Sequence, residues 1–145
     1  VEGHPGFSGR VNHALDAKGR LVVPSKYRDR LGKRFILTIP FGDRCLVLYT
    51  MERWAVKQRL FDEFAVKDKA YYKYSRAVNQ MTEEVECDAQ GRLFIPQELR
   101  DYAGLVEKVR SVGNGDRIEI WDPERLDEVD LTSDEAAAFA ARVGL

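Results

Sequence analysis

The sequence predicts a mainly β chain with helices, in which two pseudo-symmetric repeats interleave into one small barrel. Two observations predict it. Residues 16–28 (D-A-K-G-R-L-V-V-P-S-K-Y-R) and 88–100 (D-A-Q-G-R-L-F-I-P-Q-E-L-R) match at a constant offset of 72, with seven of thirteen positions identical and the pairs Val22/Phe94 and Val23/Ile95 both apolar. A repeat this dense is read before anything else. Around each copy, short apolar or alternating segments are punctuated by Gly, Pro, Asn and Asp, which is strand-and-turn chemistry. Neither half has enough strand to close a core alone, and interleaving the two removes the sheet edges each would expose.

In chain order, Phe7, Val11, His13 and Leu15 alternate with Ser8, Arg10 and Asn12, the period of a half-buried strand. Asp16 to Gly19 is a turn, with Asp bonding backbone N–H groups and Gly taking φ > 0. Arg20 to Val23 is a short strand that Pro24 ends. A helix over 26–31 follows, capped by Ser25 and stopped by Gly32. Phe35–Ile39 and Cys45–Tyr49 form a hairpin about a turn at 40–44. Thr50 caps a helix over 52–65, and a second helix over 70–76 carries Tyr71 and Tyr74 on one side. The plan then restarts: a strand over 79–87, the repeated turn and strand, a helix over 97–103 stopped by Gly104, and a hairpin of 106–112 with 117–121 around Gly113-Asn-Gly-Asp116. Gly42-Asp43-Arg44 matches Gly115-Asp116-Arg117, with one residue of slip inside the hairpin. Thr132-Ser-Asp-Glu135 is a capping box opening an Ala-rich helix. Phe139 and Val143 give that helix a thin apolar face, suited to motion or to docking on a neighbour. The expected organisation is repeat 1 over 7–53, a helical connector over 54–78, repeat 2 over 79–126 and an acidic tail over 127–145.

Composition narrows the function. The chain has 145 residues, 44% hydrophobic and 32% charged, which suits one compact soluble unit. No apolar run approaches the ~20 residues of a membrane span. The opening V-E-G-H-P-G lacks an initiator Met and a signal-peptide pattern, and is given no part in the fold. Cys45 and Cys87 lack CxxC spacing and read as buried reduced thiols of a cytosolic protein. The net charge of −1 divides into +5 over 1–36, +3 over 37–80 and −9 over 81–145. The near-zero total argues against non-specific coating of nucleic acid, while the split suits either an acidic part that meets the basic part of another copy or one that is simply solvated.

The chemistry concentrates on the arginine of each repeated turn. Asp16 with Arg20, and Asp88 with Arg92, either staple the turn or aim a planar guanidinium at a phosphate or at the O6/N7 edge of guanine. Arg10, Lys18, Lys26 and Arg28 surround the first turn as a solvated face or as phosphate contacts, which position a protein without reading sequence. Arg28 and Arg100 recur at one repeat position, which equally suits a structural hydrogen bond. His13 and His4 have no third ligand nearby, so no metal site is expected. The tyrosines at 71, 72 and 74 suit base stacking or helix packing. No catalytic constellation, cofactor motif or small-molecule site is present.

These residues resemble a known family. The two D-A-x-G-R-L-x-x-P-x-x-x-R copies, the stretch R-L-F-I-P-Q-E-L-R-D-Y-A-G-L and the following G-N-G-D-R-I-E-I-W resemble the paired SpoVT-AbrB-type repeats of MraZ proteins, over roughly 7–126. The resemblance implies a swapped-hairpin (double-split) β-barrel and a ring-like homo-oligomer. It implies a cytoplasmic, nucleoid-associated regulator of the bacterial division and cell-wall gene cluster. Such a regulator binds spaced short repeats in double-stranded DNA upstream of its own operon. The D-x-x-x-R signature falls on Asp16/Arg20 and Asp88/Arg92. Lys18 beside Arg20, against neutral Gln90 and the acids Glu83, Glu84 and Glu86 beside Arg92, makes Arg20 the expected stronger contact. The rival expectation is an antitoxin-like or scaffold module on the same barrel, binding a protein through the acidic tail.

Overall fold

The computed structural model describes residues 6–145, so His4 lies outside the described residues. Among them are eight strands: β1 (Arg10–Ala14), β2 (Arg20–Val22), β3 (Arg34–Thr38), β4 (Leu46–Thr50), β5 (Glu83–Glu86), β6 (Arg92–Phe94), β7 (Lys108–Asn114) and β8 (Arg117–Trp121). The helices are α1 (Ser25–Leu31), α2 (Met51–Lys67), α3 (Ala70–Gln80), α4 (Gln97–Ala103), α5 (Pro123–Val129) and α6 (Ser133–Val143).

Pairing is antiparallel throughout and obeys the repeat. The larger sheet runs β1-β7-β8-β4-β3-β5, and a separate ribbon pairs β2 with β6. The first strand of each repeat thus pairs with the hairpin of the other, β1 on β7 and β5 on β3. Two ladders cross the pseudo-twofold axis. In the ribbon Leu21 faces Leu93, and between the hairpins Val47 faces Glu119; both pairs are related by the offset of 72.

β3 and β4 of the first hairpin are apolar on both faces, so they read as continuous runs, whereas β7 and β8 of the second carry polar residues among their apolar ones. One face holds the main core, where Phe35, Leu37, Leu46, Leu48, Ile118 and Ile120 meet Leu21, Val23, Leu93 and Ile95 from the ribbon and Tyr27 and Leu99 from α1 and α4. The other face holds Ile36, Val47, Tyr49, Trp121 and Leu126, with Trp54 of α2 against them. An aromatic chain continues outward: Tyr49 to Trp54 at 5.6 Å, Trp54 to Phe61 at 6.1 Å and Phe61 to Tyr74 at 5.6 Å. Tyr71 stacks on Phe64, and Tyr72 is exposed. Two of the three tyrosines therefore pack helix on helix.

Several boundaries differ from expectation. Phe7 forms only an isolated bridge to Gly115, because Gly9 at φ 77° interrupts the first strand. Gly6 takes part in the fold, its carbonyl accepting from Arg30 Nη1 at 2.8 Å. Residues 79 and 80 belong to α3, where Asn79 Nδ2 donates to the Ser75 carbonyl one turn back and Gln58 donates to Asn79 Oδ1, so the alternation resumes only at Glu83. Eight residues separate the equivalent pairs Thr38/Val47 in the first hairpin and six separate Val112/Glu119 in the second, a slip of two rather than one. The repeat also runs on into the next helix caps. Thr50 accepts from the Arg53 N–H and Asp122 from the Arg125 N–H, starting α2 and α5 alike. The capping box of α6 forms, and none of its residues is buried.

His13 ties the ribbon to the sheet. Its Nδ1–H donates to the Val22 carbonyl at 3.1 Å, which leaves Nε2 to accept from Ser111 Oγ at 2.7 Å. Burial holds its pKa below the ordinary value of about 6.5. Stability is therefore full above that value and falls as the pH drops through it, because the unfolded chain binds the proton first. A thermal-melting series from pH 7 to pH 5 should show this loss, and His13→Asn should lessen the slope. Leu93→Ala, on the axis of the ribbon, should cost about 2–5 kcal/mol in denaturant unfolding, the range for a buried leucine.

Candidate nucleic-acid interface

Each repeated turn is built by one aspartate. Asp16 Oδ1 accepts from the Lys18 and Arg20 backbone N–H groups at 2.9 Å, and its Oδ2 accepts from Arg20 Nε at 2.7 Å. Asp88 does the same for Gln90 and Arg92, at the same distances. The Arg20 and Arg92 backbone N–H groups are the main cause that holds the two carboxyls below the ordinary carboxylate range, so both are ionised at neutral pH. With Nε committed, each guanidinium keeps its Nη edge as a pre-aimed fork on a partly exposed side chain. Among the described residues the terminal nitrogens of Arg20 have no hydrogen bond, whereas Arg92 Nη2 donates to Gln90 Oε1 at 3.2 Å.

The two turns are locked to each other across the axis. Ile95 N–H donates to the Gly19 carbonyl and Val23 N–H to the Gly91 carbonyl, at 2.9 and 3.0 Å. Beneath each turn lies the arginine of the opposite repeat. A Cβ on Gly19 would stand 2.7 Å from Arg100 Cζ, and one on Gly91 2.8 Å from Arg28 Cζ. Both glycines have φ near 78°, the left-handed region. Arg28 also donates to the Val23 carbonyl at 3.1 Å, while Arg100 Nε is buried without a hydrogen-bond partner among the described residues. The recurrence of these two arginines thus coincides with a packing role in both repeats.

The other expected residues spread around the first turn. Lys18 is exposed at its tip, and Arg10 is exposed at the start of β1, opposite Val112. Lys26 is exposed on the first turn of α1, with Nζ 5.0 Å from the Tyr27 ring centroid. The acids beside Arg92 are less free than the sequence suggests. Arg34 donates to Glu84 at 3.0 Å and to Glu86 at 3.2 Å, which leaves a weaker negative field. Both cysteines are free, and burial pushes both thiols up, Cys45 the further. Among the described residues no cluster of His, Cys, Asp and Glu could hold a metal ion. Among the same residues no helix is long and apolar enough to cross a membrane.

Sequence reasoning missed two residues of this surface. Arg20 faces Phe94 and Val22 faces Arg92 in the ribbon ladder. Directly opposed residues share a face, so all four side chains stand on the outer face while Leu21 and Leu93 fill the inner one. The signal was available: with Arg20 and Arg92 outward, the period of two carries positions 22 and 94 outward beside them.

The family described as "MraZ protein, putative antitoxin-like" matches residues 7–74 and 80–142. The "Transcriptional regulator MraZ" of Acetivibrio thermocellus is 36% identical over 143 residues, covering 96% of this chain and 99% of that protein.

A substitution of Gly91 by Ala should cost about 1–2 kcal/mol for the left-handed backbone alone and more for displacing Arg28. In denaturant titrations the Gly91→Ala/Arg28→Ala double variant should therefore lose less than the sum of the two single losses.

Proposed function

The chain belongs to the MraZ family, and from that premise we propose that it is a transcriptional regulator that binds double-stranded DNA through the two aspartate-aimed arginines. The observation that carries the reading is the pair of outward guanidinium forks, Arg20 and Arg92, each fixed at Nε by its own aspartate. A bidentate fork onto guanine O6/N7 is worth about 1–3 kcal/mol of discrimination. Strand geometry puts the two Cα atoms about 8 Å apart, two rows along and one strand across. That span fits two to three base-pair steps of about 3.4 Å. Each subunit then reads only a short site, which supports a homo-oligomer on spaced repeats whose affinity multiplies through effective concentration. Lys18, Arg10 and Lys26 serve as phosphate contacts, and Arg28 positions the second turn from below. The reading includes repeats over 7–53 and 79–126 as the two halves of a swapped-hairpin barrel, with 54–78 as connector. It includes a ring-like assembly, a cytoplasmic and nucleoid-associated location, and control of the chain's own division and cell-wall operon. It assigns no catalytic residue.

A second reading, an antitoxin-like or scaffold module, rests on α6, which buries none of its residues and leaves Phe139 and Val143 exposed, with the Arg142 guanidinium of the same helix 5.4 Å from the Phe139 ring. Removal of residues 127–145 separates the two: the regulator keeps DNA binding, and the module loses its protein partner.

Binding titrations on DNA bearing spaced repeats test the main reading. Arg20→Ala and Arg92→Ala should each weaken binding at least tenfold, and the double variant should abolish it. Arg20 should show the larger effect because Lys18 stands beside it, by a margin narrowed by the Arg34 pairs. Unchanged binding by a folded double variant would sink the assignment. If acidic residues 81–135 of one subunit meet the basic face of the next, raising the salt should lower the mass of the assembly by light scattering. A mass constant from low to high salt counts against that contact.

A further inference from the structure

Two large apolar side chains stand in water on the outer face of the ribbon, Val22 at 50% and Phe94 at 53% exposure. An exposed apolar residue alone means little. These two are distinguished by place, since each is the direct cross-strand neighbour of one of the two aimed arginines. Neither can turn inward, because Leu21 and Leu93 already fill the space beneath. Neither can move away, because the ribbon is tied at both ends by the Gly19 and Gly91 carbonyls.

We infer that Phe94 and Val22 read bases, by contacting the 5-methyl group of a thymine that neighbours the guanine held by Arg20 or Arg92. The inference rests on the DNA reading above. Opposed side chains in a ladder have Cβ atoms about 4.5–5.5 Å apart. When the arginine forks the O6/N7 edge of one guanine, its apolar neighbour lies over the next base pair, about 3.4 Å along the groove. The apolar group that a base pair presents in the major groove is the thymine methyl. DNA is the occupant the proposal commits to, since Arg20 and Arg92 border the patch in the ladder and a duplex held by both forks must lie against Val22 and Phe94 as well. The two units are unequal. Arg20 with Phe94 offers the larger apolar surface, so the stronger demand for thymine belongs beside the Arg20 contact.

The test uses the full chain and a duplex that it selects from a random pool, resynthesised with deoxyuridine for every thymidine. Uracil keeps the hydrogen bonds and lacks the methyl. Wild type should lose about fourfold in affinity per contacted methyl, the worth of one buried carbon. Val22→Ser/Phe94→Ser should bind the two duplexes alike, with an unchanged salt slope because no phosphate contact is lost. Equal wild-type binding to both duplexes, while Arg20→Ala/Arg92→Ala still abolishes it, overturns this inference alone. So does a serine variant that keeps the thymine preference, or one that loses self-association in its place, which would mark the patch as a subunit contact. A pool from which nothing is selected removes the DNA reading and this inference with it.

Discussion

The structure depends on the crossing of two arginines under two glycines. Arg28 of the first repeat lies beneath Gly91 of the second, and Arg100 of the second beneath Gly19 of the first. Only a residue without a Cβ leaves that room, and only a left-handed backbone closes the turn there. The same glycines offer their carbonyls to the opposite strand. Neither turn can therefore reach its final shape until the other repeat is in place. Folding of the halves and construction of the arginine-bearing surface become one event, which is why a pair of exposed, salt-screened ion pairs can still be held in a fixed orientation.

The duplication is kept where the backbone needs it and abandoned where it does not. At the hairpin crossing, Val47 faces its own counterpart, Glu119. Burial pushes that carboxyl up, and hydrogen bonds from Trp121 Nε1 and Asn114 Nδ2 together with Arg117 more than reverse it. A symmetric dimer of one repeat would bring two copies of the same residue to this axis, either two valines or two acids. One chain with two repeats can place an acid and its donors on one side and an apolar residue on the other.

How far the sequence spoke follows from the range of each interaction. The turns were legible because Asp, Gly and Arg act on their own neighbours within four residues. The caps at Thr50 and Thr132 were legible for the same reason. The slip inside the first hairpin was underread because glycine and aspartate mark a turn without fixing how many residues it spans. Residues 79 and 80 read as strand although the Asn79 side chain donates to the Ser75 carbonyl of its own helix and accepts from Gln58 of α2. The placement of Arg28 was not legible at all, since its partner is 63 positions away across the axis, and recurrence alone left packing and phosphate binding equally open. For Val22 and Phe94 the alternation was present, but a run of three apolar residues does not announce which one faces water.

The asymmetry of the two turns bears on the kind of site they can read. Two identical copies about a twofold axis would match a palindrome. Here Lys18 is replaced by Gln90, Phe94 stands where the first repeat has Val22, and Gln90 engages a terminal nitrogen of Arg92 that has no equivalent bond in Arg20. The backbone symmetry remains while the chemistry of the surface is directional. A directional surface on a short site gains from repetition in one orientation rather than from inversion. On the proposed DNA reading, subunits that each read the same element the same way round would follow one another along the duplex in one orientation, and contacts between such subunits would be head to tail. On the proposed reading, the directional surface of the two turns and the use of spaced repeats by several subunits would then trace to the same broken symmetry.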